Sequence, residues 1–287
     1  MNSTVPAKSE TLKVPGASLH YEVRGSGPVL LMIPGGPANA GDFNRIAGEL
    51  ASDFTVVTYD PRGLAHSTLE APFNDDRAVQ IAADDVQRLL KAVTDEPANV
   101  FGSSGGAVIG LDLVARYPTQ VRTFISHEPP AAALLPNPAR ERAAMEEIVE
   151  TYRAAGIGPA MQKFMGHARI RSGPPPRQEG EPTPEQRETM RQMQSNMDFW
   201  LGHTFKAIAI YEPDFAALKR RPTRIVPAVG DESRGELAHE GGLGLAAGLG
   251  TEAVVFPGAH GGFNSHSAQF AAKLREVLAA SASRATR

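Results

Sequence analysis

Residues 98–117, ANVFGSSGGAVIGLDLVARY, pass from an apolar run through five glycines and serines into a helix-like pattern. The run ANVFGS predicts a β-strand, and the pattern from Ala107 onward predicts a helix. At the junction, residues 102–106 match Gly-x-Ser-x-Gly with Ser104 at the centre. A flexible turn would have the same composition, but a strand that leads directly into a helix is the setting in which this pattern exposes a nucleophilic serine.

The glycines have a steric explanation. A serine presented on a sharp turn brings its backbone close to neighbouring elements, and side chains at Gly102 and Gly106 would collide there. The helix that follows directs its first amides toward the serine and favours a developing anion. We therefore interpret Ser104 as a candidate nucleophile and Ser103 as a packed or hydrogen-bonded neighbour.

The flanking sequence alternates strand-like and helix-like segments. Apolar, β-branched runs predict further strands, and several are apolar throughout, as in parallel strands buried on both faces. These runs are VLLMI (29–33), FTVVTY (54–59), VRTFIS (121–126), RIVPAV (224–229) and EAVVF (252–256). Residues 76–93 and 268–280 predict helices. The alternating segments TLKV and SLHYEVRG predict an antiparallel edge before the parallel core.

The alternation stops between residues 131 and 220, where the sequence is amphipathic and helical. Within it, residues 171–184, RSGPPPRQEGEPTP, predict an irregular, mobile loop because they are rich in proline and glycine. We predict a core from residues 1–130 and 221–287, and a helical lid domain from residues 131–220. Such a lid would cover the carboxyl edge of the sheet, where open α/β sheets bind ligands.

Composition excludes several classes of function. The chain has 287 residues, a formal charge of −3 and no cysteine, so thiolate catalysis and cysteine-ligated metal sites are excluded. The near-neutral charge argues against a nucleic-acid or anionic-membrane partner. The polar N-terminus lacks the apolar core of a secretory signal, and no apolar run approaches a membrane span. We expect a cytoplasmic protein; the oligomeric state stays open, a homodimer included.

A serine nucleophile requires two hydrogen-bond donors for the oxyanion. The amide of Gly105, directly after the candidate nucleophile, is one candidate. The loop IPGGPANAGDF after VLLMI is rich in glycine where the backbone would approach a substrate, and the Gly36 amide is the second candidate. A merely rigid turn between Pro34 and Pro37 is the alternative.

These motifs together resemble the α/β-hydrolase family over nearly the whole chain: the PGGP loop, YDPRGLAHS, GSSGG, a helical insert and GAHGGF. The resemblance implies a mostly parallel, eight-stranded sheet flanked by helices, with a helical lid insertion. Family members often carry His-Gly in the oxyanion loop, whereas this chain has Pro34 in place of the histidine. Asp60 and Arg62 match a turn that is usually structural in the family.

The general base is predicted by position among the eight histidines. His260 follows the last predicted strand and precedes the last helix, in a stretch where glycines leave the backbone free to deliver the ring. The chain order of the family also ends in histidine. His266, just beyond, is the alternative.

The acid that orients the histidine is harder to assign. The family commonly has Gly-x-x-Asp after the strand that follows the lid. Here Ser233 stands in place of that aspartate, and Asp231 lies two positions too early in the motif. Glu128, in ISHEPP after the strand VRTFIS, would lie at the same sheet edge as Ser104. The pairing of G-x-S-S-G with H-E-x-P resembles the zearalenone lactone hydrolases, whose acid follows this strand. We predict Ser104–His260–Glu128 with Asp231 as the reserve acid, and interpret His127 as structural.

The proposed lid carries the aromatic segment MDFWLGHTF, from which Trp200, Phe199 and His203 are candidate substrate-binding residues. An apolar roof favours an apolar ester or lactone of moderate size, cleaved through an acyl-enzyme without a metal or cofactor. The alternatives are a cofactor-free perhydrolase or a peptidase of the same fold, or a ligand-binding relative without catalysis. Exposed glutamates of the lid, Glu146, Glu147 and Glu150, are interpreted as a solvated face rather than an amine-binding site.

Overall fold

The computed structural model describes residues 6–170, 181–220 and 222–285, and its centre is a mixed β-sheet. Nine strands form the sheet in the order β1-β2-β4-β3-β6-β7-β8-β9, with β5 pairing β2. The strands are β1 (Lys8–Val14), β2 (Ala17–Arg24), β3 (Val29–Ile33), β4 (Thr55–Tyr59), β5 (Thr68–Leu69), β6 (Ala98–Ser103), β7 (Val121–His127), β8 (Arg224–Gly230) and β9 (Val254–Phe256).

The sheet has a parallel core and an antiparallel edge. Neighbouring strands from β4 through β9 pair in parallel, whereas β1 pairs β2, and β2 pairs β4, antiparallel. The predicted fold class and antiparallel edge are confirmed. The sheet has one strand more than the eight expected, because the two residues of β5 lack the apolar run by which strands are recognised in sequence.

Eleven helices lie in the described parts of the chain. They are α1 (Asn44–Leu50), α2 (Ala78–Val93), α3 (Gly105–Arg116), α4 (Pro138–Ala155), α5 (Ile157–Ala168), α6 (Pro184–Phe199), α7 (Phe205–Ile210), α8 (Phe215–Lys219), α9 (Leu237–Leu249), α10 (Gly262–Ser265) and α11 (Ser267–Ala285).

Helices cover both faces of the sheet, which explains the unbroken apolar strands. In β3, Leu31 and Ile33 join the apolar cluster beneath α2 and α3, whereas Leu30 and Met32 join the cluster beneath α1 and α11. All four side chains are fully buried. Burial of each such side chain stabilises the fold by about 1.5–3 kcal/mol, so a polar residue in β3 would be costly on either face.

Five helices, α4 to α8, separate β7 from β8. Helices α4 to α7 share an apolar cluster of their own, which includes Met145, Ile148, Trp200 and Phe205 and extends to Leu237 of α9, whereas Leu218 of α8 joins the core cluster. A π-helical turn, Trp200–Thr204, joins α6 to α7. Of the predicted irregular segment 171–184, residues 171–180 lie outside the described residues, and α6 begins at Pro184 with a capping box from Thr183. Across the described ranges, no helix is both long and apolar enough to cross a membrane.

Candidate active site

Ser104 lies on a strained turn between β6 and α3. Its backbone angles are φ 56° and ψ −123°, in a region that side-chain-bearing residues rarely occupy. Its amide donates to the carbonyl of His127 at 2.9 Å, which ties the turn to the neighbouring strand. A Cβ on Gly102 would lie 2.5 Å from the carbonyl oxygen of Gly106, and one on Gly106 would lie 2.2 Å from that of Ile33. The glycines around Ser104 are therefore required by close backbone packing.

The backbone amides of Gly36 and Gly105, the two candidate oxyanion donors, lie beside this turn. Gly36 has φ +59°, and its nitrogen lies 3.5 Å from the position that a Cβ on Gly105 would occupy. Its neighbour Gly35 packs so closely that a Cβ there would lie 2.6 Å from the Cβ of Ser104. The loop after β3 and the start of α3 thus meet at the serine, where their N–H groups could share one negatively charged oxygen.

Glu128 and His260 form a direct hydrogen bond. Nδ1 of His260 lies 2.6 Å from Oε2 of Glu128, which is fully buried and has φ +52°. Because an ionised carboxylate only accepts hydrogen bonds, Nδ1 carries the proton and Nε2 of His260 is left with a free lone pair. The imidazole is thereby held in the tautomer that a general base requires.

The other carboxylate oxygen of Glu128 is also held. Oε1 accepts from the amide of Gly230 at 2.8 Å and from the hydroxyl of Ser233. Since the Ser233 hydroxyl donates to Glu128, it accepts from Nδ1 of His239, 3.0 Å away. Both oxygens of this buried carboxylate are therefore fixed by donors from β8, the loop after it and the C-terminal loop.

Electrostatics keep Glu128 ionised. Burial acts to raise its pKa, but the hydrogen bond from His260, the nearby His127 and the Ser233 hydroxyl outweigh burial and lower the pKa to about 2. His127 behaves oppositely, because complete burial lowers its pKa to about 4 and keeps it neutral at pH 7. Its ring packs against Phe101, Phe256 and Phe270, in line with the structural role predicted for it.

The two reserve candidates are engaged elsewhere. Asp231 accepts the amide of Gly258 at 2.7 Å through Oδ1 and thus braces the loop that leads to His260, rather than the imidazole itself. His266 places Nδ1 2.9 Å from the hydroxyl of Ser265.

Ser104 and His260 line one cavity of about 50 Å³ beneath α4 to α7. Gly36, Gly105 and Trp200 line it too, and Trp200 is 6% exposed. The remaining walls are mostly apolar and include Met145, Phe164, Phe205, Ile208 and Leu237, with Glu236 among them.

Two of the three aromatic candidates lie outside this cavity. His203 is half-exposed on the outer surface, where Nδ1 lies 2.8 Å from Oδ1 of Asp75. Phe199 packs against the core loop, since a Cβ on Gly63 would lie 2.5 Å from its ring. Phe199 and His203 instead pack against each other, with ring centroids 4.7 Å apart, and of the three candidates Trp200 lines the cavity.

Two residues of the site were not predicted from the sequence. Ser233 stands where the family commonly has aspartate, so the position was noticed, but its bond to Glu128 was not anticipated. Asn196 of α6 is 3% exposed; it donates to the carbonyl of Pro37 at 3.1 Å and accepts the amide of Ala65 at 2.9 Å. It thereby links the insertion to the loop that carries Gly36, and a lone asparagine in a polar helix carries no sequence signal of such a contact.

Two groups of side chains bring metal-ligating atoms within 4.8 Å of one another: His127, Glu128 and His260, and His20, Asp60 and His66. In the first group the oxygens of Glu128 are already held by hydrogen bonds. In the second, Asp60 accepts the amides of Ala40 and His66 and braces the turn, in agreement with the structural role expected of it.

Comparison with known proteins identifies relatives of this chain. The profile of a family described as alpha/beta hydrolase fold matches residues 28–197. The chain is 38% identical to the uncharacterized hydrolase YraK of Bacillus subtilis over 276 residues, which cover 93% of this chain and 95% of that protein. It is 31% identical to a zearalenone hydrolase of Cladophialophora bantiana over 127 residues, or 44% of this chain and 48% of that protein.

Among solved structures, a thermophilic esterase from Thermogutta terrifontis superposes with a TM-score of 0.70 at 19% identity. The superposition covers 96% of this chain and 99% of the esterase. At that identity the likeness extends to the fold alone.

Proposed function

Since this chain belongs to the α/β-hydrolase family and is a hydrolase, we propose that it cleaves a carboxylic ester or lactone through an acyl-enzyme on Ser104. The observation that carries this proposal is the hydrogen bond between Glu128 and His260 beside the cavity that Ser104 lines. A buried carboxylate that orients an imidazole next to a strained serine is the arrangement by which a hydroxyl becomes nucleophilic at neutral pH.

In the first half of the reaction, Oγ of Ser104 attacks the substrate carbonyl carbon while Nε2 of His260 takes the hydroxyl proton. The carbonyl oxygen becomes an oxyanion, which the amides of Gly36 and Gly105 stabilise by about 3 kcal/mol per donor. The imidazolium is stabilised by Glu128, which stays ionised. His260 then protonates the leaving alkoxide as the carbon–oxygen bond breaks.

In the second half, His260 removes a proton from water, and the resulting hydroxide attacks the acyl carbon. The second oxyanion occupies the same two amides. Its collapse breaks the bond to Ser104, whose oxygen recovers the proton from His260. The acid product leaves, and a lactone would leave as one open hydroxy acid.

We further propose that residues 131–220 act as a lid on a core formed by residues 1–130 and 221–287. Trp200, Phe205 and Ile208 come from the insertion and line the cavity opposite Ser104, which supports this division. Asn196 supports it too, because its two hydrogen bonds to core loops hold the insertion over the sheet edge.

The composition of the cavity favours an apolar substrate. Its walls are mostly aliphatic and aromatic, and such walls bind apolar groups while a few polar groups set their orientation. Two relatives that match part of the chain are named zearalenone hydrolases, and these names agree with a hydrolytic reaction. The lid glutamates give the peptidase alternative no support, because Glu146 and Glu150 are exposed on α4 and Glu147 pairs with Lys163 outside the cavity.

The proposal is tested with p-nitrophenyl esters of increasing acyl length and a set of macrocyclic lactones. We expect Ser104→Ala to lower kcat by at least about 10³-fold on every substrate that the native protein cleaves. Ser103→Ala is the matched control, since Ser103 is the adjacent serine and is buried in β6. Equal loss in both variants, or none in either, would contradict the proposal.

A further inference from the structure

A second cavity lies directly behind the cavity of Ser104. It has a volume of about 40 Å³, and both cavities are lined by Gly36 and Ile208. Ser104 and His260 do not line the second one. Its other walls come from the core and from α6, and include Tyr59, Phe73, Val79, Ala82, Ile109 and Phe199. We call it the Tyr59 cavity.

Ile208 of α7 is the partition between the two cavities. It is 9% exposed, and its Cδ1 lies 3.0 Å from the position that a Cβ on Gly105 would occupy. The side chain therefore reaches the oxyanion amides on one side and faces the Tyr59 cavity on the other. A helix restricts χ1 of the β-branched Ile208, but rotation about χ2 moves its Cδ1 between staggered positions, so a ligand could displace this methyl group and occupy both cavities.

Tyr59 gives the second cavity one unused polar group. Tyr59 is 1% exposed, and its hydroxyl has no hydrogen-bond partner within the described ranges. Burial, together with the nearby Asp85, raises the pKa of this hydroxyl above its usual range, so it remains a neutral donor. A buried hydroxyl without a partner is energetically unfavourable, and a hydrogen bond to a ligand oxygen would remove this cost.

The ionic groups at this cavity are already paired. Arg62 donates to both oxygens of Asp85, at 2.7 and 2.6 Å, and Asp85 is 2% exposed. A charged ligand group would have to break this bidentate pair and lose its charge-assisted hydrogen bonds. The cavity therefore suits a neutral group.

We propose that the two cavities are halves of one substrate site, and this inference rests on the proposed ester or lactone hydrolysis. The substrate has an apolar arm on the acyl side of the scissile bond that carries one neutral oxygen, a hydroxyl or a carbonyl. The arm passes Ile208 and places this oxygen on the hydroxyl of Tyr59. The substrate class is thus a neutral ester or lactone whose long, mostly apolar acyl part bears one distant oxygen.

Three esters that release the same chromophore test the inference: p-nitrophenyl acetate, 4-phenylbutanoate and 4-(4-hydroxyphenyl)butanoate. We expect the native protein to cleave the hydroxyphenyl ester with a kcat/KM about fivefold above that of the phenyl ester, because one hydrogen bond is gained. In Tyr59→Phe that preference should disappear, because the hydroxyl that would bind the distant oxygen is removed.

A second variant fills the cavity. Ala82→Phe should lower the ratio of kcat/KM for phenylbutanoate over acetate at least about tenfold, because the arm no longer fits. Ala209→Leu is the comparison. Because Ala209 lines the cavity of Ser104, this substitution should lower kcat/KM on both esters. The thermal midpoint of each variant shows whether it remains folded.

The outcomes separate the inference from the function on which it rests. Native activity on the esters, with ratios that neither Tyr59→Phe nor Ala82→Phe changes, overturns the two-cavity site and leaves the hydrolase mechanism standing. If the native protein cleaves neither these three esters nor the macrocyclic lactones, the hydrolase proposal fails and the inference fails with it.

Discussion

Oε2 of Glu128 lies 2.6 Å from Nδ1 of His260, although 132 positions separate the two residues in the chain. The sheet accounts for their contact. Glu128 follows β7 and His260 follows β9, and both parallel strands end at the edge where Ser104 leaves β6. The proposed chemistry depends on this convergence of three loops at one edge.

Exchange of the acid for its amide should separate Glu128 from Asp231. Glu128→Gln keeps the shape of the side chain but removes the charge that stabilises an imidazolium, so we expect kcat to fall by about 10³–10⁴-fold. Asp231→Asn should lower kcat by less than about tenfold, because Asp231 holds the amide of Gly258 instead. Steady-state kinetics on one ester decides between the two carboxylates. A larger loss of kcat in Asp231→Asn than in Glu128→Gln would assign the acid to Asp231.

Removal of the Ser233 hydroxyl should weaken the orienting acid. In Ser233→Ala, Oε1 of Glu128 loses one of its donors, and the pKa of Glu128 should rise toward its ordinary value. We expect kcat/KM to begin its fall toward acid pH at a higher pH, because Glu128 is protonated more readily. We also expect kcat to fall by about tenfold. Ser265→Ala, at an exposed position next to His266, is the control. An unchanged profile in Ser233→Ala would show that this hydroxyl does not tune Glu128.

The neutral, buried His127 should make the protein sensitive to acid. Its pKa is about 4 in the folded state against 6.5 for an unperturbed histidine, so the unfolded chain binds the proton more readily. The free energy of unfolding should therefore be highest above pH 6.5 and fall by up to about 3 kcal/mol as the pH drops toward 4.

Urea unfolding across this pH range checks that expectation. His127→Phe should lose this part of the pH dependence, because it removes the titrating group. The substitution breaks no side-chain hydrogen bond, since neither ring nitrogen of His127 has a partner in the described structure. His203→Gln serves as the control at an exposed position. A pH dependence that survives in His127→Phe would assign it to another group.

Loss of the Asn196 contacts should disturb the loop that carries Gly36. Asn196→Leu leaves the carbonyl of Pro37 and the amide of Ala65 without these partners, and should lower the free energy of unfolding by about 1–3 kcal/mol. We also expect a lower kcat with a nearly unchanged KM, because the oxyanion donor is displaced more than the binding walls. Asn137→Ala, exposed before α4, should change neither quantity. A variant that loses stability but keeps its kcat would limit Asn196 to a structural role.

The strands and their parallel order could be predicted because helices cover both faces of the sheet. Full burial imposes an unbroken apolar run such as Leu30–Ile33, and this pattern is visible without any knowledge of the fold. The strained turn at Ser104 was predicted for a related reason, since its close backbone contacts require glycine at fixed positions.

The arrangement of the insertion could not be predicted in the same way. Phe199, Trp200 and His203 follow one another closely, but Trp200 lines the cavity of Ser104, whereas Phe199 and His203 pack against each other outside it. Asn196 and Ser233 act through contacts with residues far away in the chain, so neither leaves a local pattern. The prediction of Glu128 as the orienting acid depended on a resemblance to a known family, since a glutamate after a strand is more often a surface charge.

The activation of Ser104 by His260 is tested most directly with a fluorophosphonate probe, whose site of attachment is read by peptide mass spectrometry. The native protein should carry one label on Oγ of Ser104, Ser104→Ala should carry none, and His260→Gln should be labelled at least about 10²-fold more slowly. Attachment at another residue, or equal labelling of the native protein and Ser104→Ala, would contradict the account.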